Sequence, residues 1–225
     1  MINGKKVLAI TLARGGSKRI PKKNIADING KPLIQYTFDE VKKSKYIDGY
    51  VVSTDDLDIL AACTQNEVQS IIRPKDLAKD TTTSSAALIH CVERQEKYDY
   101  VVEIMCTNPL KNVEDIDGVI KKLNDTSADS VVSVVRIWDH HPSRVKYIEG
   151  DRLIDFYTEI PESRRQDLTP AAYVRNGSIY ATTHTSLMEN RVRLGPDTRP
   201  YIMPEERTVN IDEPRDLELA RIMLR

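Results

Sequence analysis

The chain is 225 residues long, and 33 lysines and arginines against 34 aspartates and glutamates give a net charge of −1. With 40% hydrophobic and 30% charged residues, the composition excludes a disordered chain and a globally basic nucleic-acid-binding protein. No apolar run reaches the roughly 20 residues that a membrane-spanning helix needs. We therefore expect one globular domain over residues 1–225, with neither nucleic acid nor membrane as a partner.

Buried-type strands and amphipathic helices alternate along the first 135 residues. The expected elements, in chain order, are a strand at 6–12, a helix at 32–43, a strand at 50–53, a helix at 56–65, a strand at 68–72, a helix at 84–95, a strand at 98–105, a helix at 113–123 and a strand at 130–135. This alternation predicts an α/β fold with a doubly wound, mostly parallel sheet. In such sheets ligands bind at the carboxyl ends of the strands.

The segment at about 137–173 interrupts this alternation, because it is rich in charge and proline. Within it, apolar alternation on both sides of Gly150 and Asp151 predicts a hairpin at 146–157. We interpret the segment as a small inserted arm. A further strand at 177–182 and a closing helix at 212–224 complete the predicted domain.

The loop after the first strand contains two glycines and five cations within ten positions: Arg14, Gly15, Gly16, Lys18, Arg19, Lys22 and Lys23. Glycines let the backbone approach a ligand closely, and its N–H groups can then surround phosphate oxygens. The loop has neither Walker nor dinucleotide-fingerprint spacing. A triphosphate is the partner that these cations favour, and a solvated basic loop is the alternative.

Asn210 and Asp212 lie two residues apart where a strand is expected to meet the last helix, so both side chains would face the same side. Their oxygens could hold Mg²⁺ beside a phosphate. The alternative is that Asp212 only caps the helix, with Pro214 in its first turn.

Three widely spaced cysteines, Cys63, Cys91 and Cys106, fit reduced thiols in a cytoplasmic protein. They form no zinc-binding pattern with the four histidines.

Several stretches together resemble the acylneuraminate cytidylyltransferases, the CMP-sialic acid synthetases and their relatives for legionaminic and pseudaminic acids. These stretches occur in order at 13–24 (Ala-Arg-Gly-Gly-Ser-Lys-Arg-Ile-Pro-Lys-Lys-Asn), 30–34 (Gly-Lys-Pro-Leu-Ile), 52–55 (Val-Ser-Thr-Asp), 73–80 (Arg-Pro-Lys-Asp-Leu-Ala-Lys-Asp) with Ser84, 163–166 (Ser-Arg-Arg-Gln), 176–180 (Asn-Gly-Ser-Ile-Tyr) and 211–212 (Ile-Asp). The resemblance covers nearly the whole chain. It implies a Rossmann-like nucleotidyltransferase fold with CTP and an acidic sugar as substrates.

The resemblance also implies roles for individual residues. The CTP phosphates and ribose region would be held by Arg14, Gly15, Ser17, Lys18, Lys23 and Asn24. The cytosine would be read by Arg73, Thr82 and Ser84. Magnesium would be bound by Asp212, with Asn210 beside it. The sugar acid would meet Met105, Arg165, Asn176 and Tyr180, with Arg165 on its carboxylate. The inserted arm would build a homodimer, and Arg144 and Lys146 would reach toward the partner's cleft.

Two positions depart from the family pattern. Met105 stands where the family has a glutamine that touches the sugar, and methionine makes no strong hydrogen bond, which favours a different or less hydroxylated sugar. Asn210 stands where an aspartate is usual, so the metal site loses one charge.

The resemblance implies that the sugar's anomeric hydroxyl attacks the α-phosphorus of CTP, with Arg14, Lys18, Lys23 and Asp212 as the catalytic residues. Two alternatives remain open at this stage. One is a cytidylyltransferase for a 3-deoxy-octulosonate-type sugar, and the other is a non-catalytic nucleotide- or sugar-binding homologue.

Overall fold

A seven-stranded sheet forms the centre of the molecule in the computed structural model, which describes residues 1–158 and 164–225. Its strand order is β11-β7-β10-β6-β1-β4-β5. The seven strands are β1 (Val7–Leu12), β4 (Gly49–Thr54), β5 (Gln69–Ile72), β6 (Tyr100–Ile104), β7 (Ser130–Ile137), β10 (Ala172–Thr183) and β11 (Thr198–Ile202). Two small hairpins add β2 (Asp27–Ile28) with β3 (Lys31–Pro32), and β8 (Lys146–Glu149) with β9 (Arg152–Asp155).

Helices connect the strands and cover the sheet. They are α1 (Leu33–Lys43), α2 (Leu57–Gln65), α3 (Ser84–Val92), α4 (Val113–Thr126), α5 (His184–Met188) and α6 (Pro214–Met223). The sequence places all of these except the short α5. The Asn112 cap of α4 is confirmed, because its side chain accepts from the Asp115 amide while Asp115 bonds back to the Asn112 amide.

Strand β1 explains why the core is buried on both faces of the sheet. It pairs in parallel with β4 on one side and β6 on the other. Ala9 packs with the apolar side of α4, whereas Leu8 and Ile10 pack with α3. Since successive side chains of a strand point to opposite faces, an uninterrupted apolar run fits only a sheet covered on both sides.

Strand β10 differs from the sequence-based expectation. It is twice as long as the predicted 177–182 segment, and it pairs antiparallel with both β6 and β7. The sheet is therefore mostly parallel, as predicted, with one antiparallel strand inserted. The edge strand β11 was not predicted, because Arg199 and Pro200 interrupt its apolar pattern.

The inserted hairpin at 146–157 is confirmed as β8 and β9, with Lys146 opposite Asp155. The chain leaves the sheet for the inserted arm at Ile137 and rejoins the sheet at Ala172. These two residues are paired with each other across β7 and β10. The part of the arm at 159–163, including Ser163, lies outside the described residues. No helix among residues 1–158 and 164–225 is long and apolar enough to cross a membrane.

Candidate nucleotide-binding cleft

A cavity of about 540 Å³ opens at the carboxyl ends of the parallel strands β1 and β6. The predicted site residues that line it are Arg14, Ser17, Lys18, Lys23, Asn24, Met105, Asn210 and Asp212. Residues from distant parts of the sequence therefore meet at the edge where α/β sheets bind ligands.

The loop at 13–24 is held close to β4 by its own backbone. The Ala13 amide donates to the Ser53 carbonyl at 3.0 Å, and the Gly15 amide donates to Oδ1 of Asp55 at 3.0 Å. A Cβ on Gly15 would lie 2.5 Å from Oδ2 of Asp56. Gly15 is thus required by close packing against the end of β4, and its amide already has an acceptor.

Two acidic side chains hold three of the loop cations. Arg14 and Lys18 both pair with Asp80, and these contacts keep the pKa of that carboxyl below its usual value. Lys23 is largely buried and donates to the Ile211 carbonyl at 2.8 Å and to Asp212 at 3.0 Å. Asp80 and Asp212 contact these cations, and the anionic oxygens of a ligand could replace the two carboxylates in these contacts.

The other two cations of the loop test the alternative that this loop is only a solvated basic surface. Lys22 pairs with Asp58 on the exposed face of α2 and does not line the cavity. Arg19 lines the cavity rim and lies 3.6 Å from Glu213. The loop is therefore partly a solvated surface, but its remaining cations converge on the cavity.

Asn24 is buried, and both ends of its side chain contact the protein. Its amide donates to the Arg14 carbonyl at 2.9 Å, and its oxygen accepts from the Cys106 thiol at 3.1 Å. Burial raises the pKa of that thiol, which stays protonated as a donor. Asn24 therefore fastens the basic loop to the segment that follows β6.

Asn210 and Asp212 are adjacent, as predicted, but the segment around them is not a strand. The Asn210 amide donates to Asp212 at 2.6 Å, and the Ile211 amide donates to the Thr107 carbonyl at 2.8 Å. The helix-cap alternative for Asp212 is wrong: Glu213 caps α6 in a box with Asp216. The Asp212 carboxylate is thus left to the cavity side, in contact with Lys23.

A second, smaller cavity of about 200 Å³ adjoins the first and shares Arg14, Asp80 and Met105 with it. Arg73, Thr82 and Ser84, the predicted cytosine-reading residues, all line it. The Arg73 guanidinium is buried, and it donates from Nε to Oγ of Ser53 at 3.0 Å and from Nη2 to the Ser53 carbonyl at 2.7 Å. Burial lowers the pKa of Arg73 from its ordinary value.

Met105 lies where the two cavities meet. Its amide donates to the Ser178 carbonyl at 2.8 Å, and its carbonyl accepts from Lys111 at 2.8 Å. Sequence reasoning missed Lys111 as a site residue. Its buried ammonium also donates to the Asn108 carbonyl and to Thr37, and burial lowers its pKa to about 8.

Sequence reasoning also missed Glu103, which lines the second cavity. A single acidic residue inside the apolar run of a central strand was the available signal. Its carboxylate pairs with Arg193, and burial raises its pKa while Arg193 and Arg73 oppose that shift.

Neither cavity is lined by four of the predicted sugar-binding residues, Arg144, Arg165, Asn176 and Tyr180. Asn176 is buried, accepts from Ser133 at 2.7 Å and donates toward Met203 and Thr208. Tyr180 is buried beside Val132 and Val134, with the Arg193 guanidinium 3.7 Å from its ring centre. Arg144 lies in a short 3-10 turn at the start of the arm. Their roles stay predictions.

Arg165 lines a separate cavity of about 310 Å³ together with Arg136, Trp138 and Thr208. The guanidinium carbons of Arg136 and Arg165 lie 3.6 Å and 5.1 Å from the Trp138 ring centre. Asp139 contacts Arg165 at 3.4 Å. The cavity thus has two guanidinium groups on one indole, balanced by the carboxylates of Asp139 and Glu205 that also line it.

No group of three or more His, Cys, Asp or Glu side chains that could hold a metal ion occurs in the part of the chain that the structure describes. Asp212 with Asn210 is a smaller donor set. Mg²⁺ commonly takes one or two protein oxygens and completes its shell with substrate phosphates and water, so this pair fits such an ion.

A doubly wound sheet with a cation-lined cavity at its carboxyl edge and a joined polar cavity defines a nucleotide-binding α/β protein. A family model described as cytidylyltransferase matches residues 8–189. The chain belongs to the cytidylyltransferase family and is a nucleotidyltransferase of the CMP-sialic acid synthetase type.

Curated relatives span most or all of the chain. Pseudaminic acid cytidylyltransferase of Campylobacter jejuni (strain 81-176) is 31% identical, with 97% of this chain and 96% of the relative aligned. CMP-N,N'-diacetyllegionaminic acid synthase of Legionella pneumophila is 29% identical, with 97% and 96% aligned. N-acylneuraminate cytidylyltransferase of Escherichia coli O18:K1:H7 is 26% identical over 96% of this chain and 51% of the relative.

Two solved structures share the fold. CMP:2-keto-3-deoxy-manno-octonic acid synthetase, complexed with CTP, superposes with a TM-score of 0.74 at 21% identity, covering 97% of this chain and 98% of that one. The 4-diphosphocytidyl-2C-methyl-D-erythritol synthase of Anaerococcus prevotii gives 0.69 at 17% identity, covering 99% and 97%. At these identities the likeness establishes the architecture alone.

Proposed function

We propose that the protein transfers CMP from CTP to the anomeric hydroxyl of a nonulosonic, sialic acid-like sugar acid and releases pyrophosphate. The observation that carries the proposal is the joined pair of cavities, cation-lined at one end and holding a buried arginine at the other. The shared Arg14 joins a polyphosphate-sized space to a base-sized one. The names of the full-length relatives support both the nucleotide and the sugar class.

The loop cations would act by positioning and by neutralising charge. Arg14, Lys18 and Lys23 would exchange their contacts with Asp80 and Asp212 for contacts to phosphate oxygens, with Ser17 as a further donor. Phosphoryl transfer depends on such fixed charges more than on covalent catalysis. The pyrophosphate would leave in line with the attacking oxygen, opposite the sugar.

Asp212 and Asn210 would hold Mg²⁺, which would neutralise phosphate charge when bound. Asn210 contributes an amide oxygen without a charge, so the site should bind the ion more weakly than a pair of carboxylates would. The Asp212 carboxylate, which contacts Lys23, would also accept the proton of the attacking hydroxyl.

The sugar acid would bind between Met105 and the Trp138 surface. Its carboxylate would pair with Arg165, where Arg136 adds a second positive charge. Asn176 would support that region from below through Thr208, which lines the same cavity, and Tyr180 would back Met105. Because the sugar oxygen attacks phosphorus, the anomeric configuration would be kept.

The arm supports the proposal of a homodimer. Large apolar side chains are exposed along its described part, at Val145, Tyr147, Ile148, Leu153, Phe156 and Tyr157. Tyr147 and Phe156 pack edge to face at 5.1 Å and form one apolar pair on the hairpin, while Ile148 and Leu153 pair across its two strands. Monomeric proteins rarely expose a contiguous patch of this kind. Arg144 and Lys146 would lie next to the partner's cleft.

A cytoplasmic location is part of the proposal, since all three cysteines are free and buried, as expected of a chain in a reducing compartment.

The test is a pyrophosphate-release assay with CTP, Mg²⁺ and a panel of pseudaminic, legionaminic, sialic and 3-deoxy-octulosonic acids. We expect turnover with a nonulosonic acid and little with the octulosonic acid. Preferred turnover of the octulosonic acid would assign the protein to the related activity. CTP binding without pyrophosphate release on any acid would favour a non-catalytic binder.

A further inference from the structure

Glu103 is an acidic residue at the centre of the sheet. It belongs to β6, whose five residues are all buried and otherwise apolar. Its side chain is 1% exposed and lines the second cavity with Arg73 and Ser84. Oε2 accepts from Arg193, and the nearby Ser84 hydroxyl helps to lower the pKa of the carboxyl. Oε1 is buried and makes no hydrogen bond of ordinary geometry within the described residues.

An unpartnered carboxylate oxygen in the protein interior is costly, because it has lost water without gaining a donor. The pair with Arg193 accounts for the charge of Glu103 but uses only one of its two oxygens. The cavity on which Glu103 borders is where a donor for the second oxygen could enter.

The same cavity offers donors as well. Nε and Nη2 of Arg73 are committed to Ser53, and Nη1 makes no hydrogen bond within the described residues. Donor and acceptor therefore lie around one space of about 200 Å³, which is enough for a single pyrimidine ring.

This pair of groups distinguishes cytosine from uracil. Cytosine carries a donor, its 4-amino group, and acceptors at N3 and O2, so a carboxylate and an arginine satisfy it together. Uracil carries a carbonyl oxygen at position 4, which would face the carboxylate with no proton between them.

We propose that Glu103 selects the base, its free oxygen accepting from the 4-amino group of cytosine while Arg73 donates to the other edge. The inference rests on the proposed use of a cytidine nucleotide. Glu103 would then be a specificity-determining residue, and its pair with Arg193 would hold the carboxylate in position for the base.

The first experiment measures kcat/KM for CTP and for UTP in the wild type and in Glu103→Gln. We expect the CTP preference to fall by about 10- to 100-fold in the variant, since a glutamine amide can donate to the uracil oxygen. Equal losses with both nucleotides, leaving the preference unchanged, would overturn the proposal and leave Glu103 as a structural partner of Arg193.

Asp115→Asn is the matched control. Asp115 is also a fully buried carboxylate paired with an arginine, Arg207, at 2.8 Å, but it lines neither cavity. We expect a lower unfolding temperature with an unaltered CTP-to-UTP preference. A shift in preference as large as that of Glu103→Gln would show that loss of any buried pair loosens the site, and the proposal would fail.

Two measurements on the wild-type chain do not depend on a variant that folds. Calorimetry should show CTP binding more tightly than the triphosphate of the 4-deamino analogue, pyrimidin-2-one riboside, and comparable affinities would overturn the proposal. A crystal structure with CTP should place a Glu103 oxygen within about 3.2 Å of the 4-amino nitrogen, and a base seated away from Glu103 would overturn it. Both succeed or fail independently of whether any sugar is turned over, which separates this inference from the proposed function.

Discussion

The two ends of the cleft hold their charges in opposite ways. At the end proposed to bind the phosphates, the phosphate end, the cations are on a surface loop and paired with acids; Lys18 is 82% exposed and contacts Asp80. At the end proposed to bind the base, the base end, Arg73 and Glu103 are 5% and 1% exposed and are fixed by Ser53 and Arg193. Exposed pairs contribute little to stability and rearrange readily, whereas buried groups are fixed in place. The phosphate end is therefore suited to binding a group that moves and leaves during the reaction. The base end is suited to discriminating between bases.

The largest effect is expected for Lys23→Ala. Lys23 is the most buried cation of the loop, at 15% exposure, and contacts Asp212. Its loss should reduce pyrophosphate release by about 100- to 1,000-fold, because it would remove a fixed charge that the proposed function assigns to the phosphates. Lys22→Ala is the control, since the neighbouring lysine points to Asp58 and should leave turnover within about twofold. Similar losses in both variants would contradict the convergence of the loop on the cavity.

The second-largest loss of turnover is expected for Asp212→Asn. Removing the carboxylate leaves two neutral amides, one from Asn210 and one from the substituted side chain, where one charge stood. We expect turnover to fall by about 100-fold, as it does when a charge-stabilising group is removed, and the Mg²⁺ concentration for half-maximal rate to rise. Titration of the initial rate with Mg²⁺ tests this. An unchanged metal dependence would remove Asp212 from the metal site.

Arg73→Lys tests the base end. A lysine keeps the charge but cannot reproduce the two fixed bonds to Ser53. We expect KM for CTP to rise by about tenfold with a much smaller change in kcat, because base contacts are made equally in the ground and transition states. Steady-state kinetics at varied CTP provides the measurement. A fall in kcat at constant KM would move Arg73 to the reacting end of the cleft.

The smallest effect concerns Lys111, which supports the floor between the two ends. Its folded pKa of about 8 lies below the ordinary value of 10.5, so between these pH values the unfolded chain binds the extra proton. The free energy of unfolding contributed by Lys111 should therefore rise with pH across that window, by at most about 1.4 kcal/mol per pH unit.

Urea unfolding of the wild type and of Lys111→Met over pH 8 to 10.5 isolates this contribution. The variant should be less stable by about 1–3 kcal/mol, because the Met105 and Asn108 carbonyls lose their donor. This difference in the free energy of unfolding should increase as pH rises. A difference in the free energy of unfolding that decreases or stays constant would show that Lys111 is not a buried, charged lysine below pH 8.

The sequence by itself determined most of the sheet and the position of the basic loop directly after its first strand. Uninterrupted apolar runs such as residues 7–10 mark strands buried on both faces, and helical spacing and the Asn112 cap mark α4, because these patterns depend only on neighbouring residues. The basic loop was recognisable for the same reason: its glycines and cations are contiguous.

Tertiary structure alone decided the direction of β10, the fact that Glu213 rather than Asp212 caps α6, and the burial of Asn176 and Tyr180. It also brought Glu103 to the second cavity and Lys111 to the Met105 carbonyl. The direction of a strand depends on the connections before and after it. The role of a buried charged residue such as Glu103 depends on partners such as Arg193, 90 residues away along the chain. No pattern of neighbouring residues carries that information, because the free energy of a buried charge is set by whatever the fold places beside it.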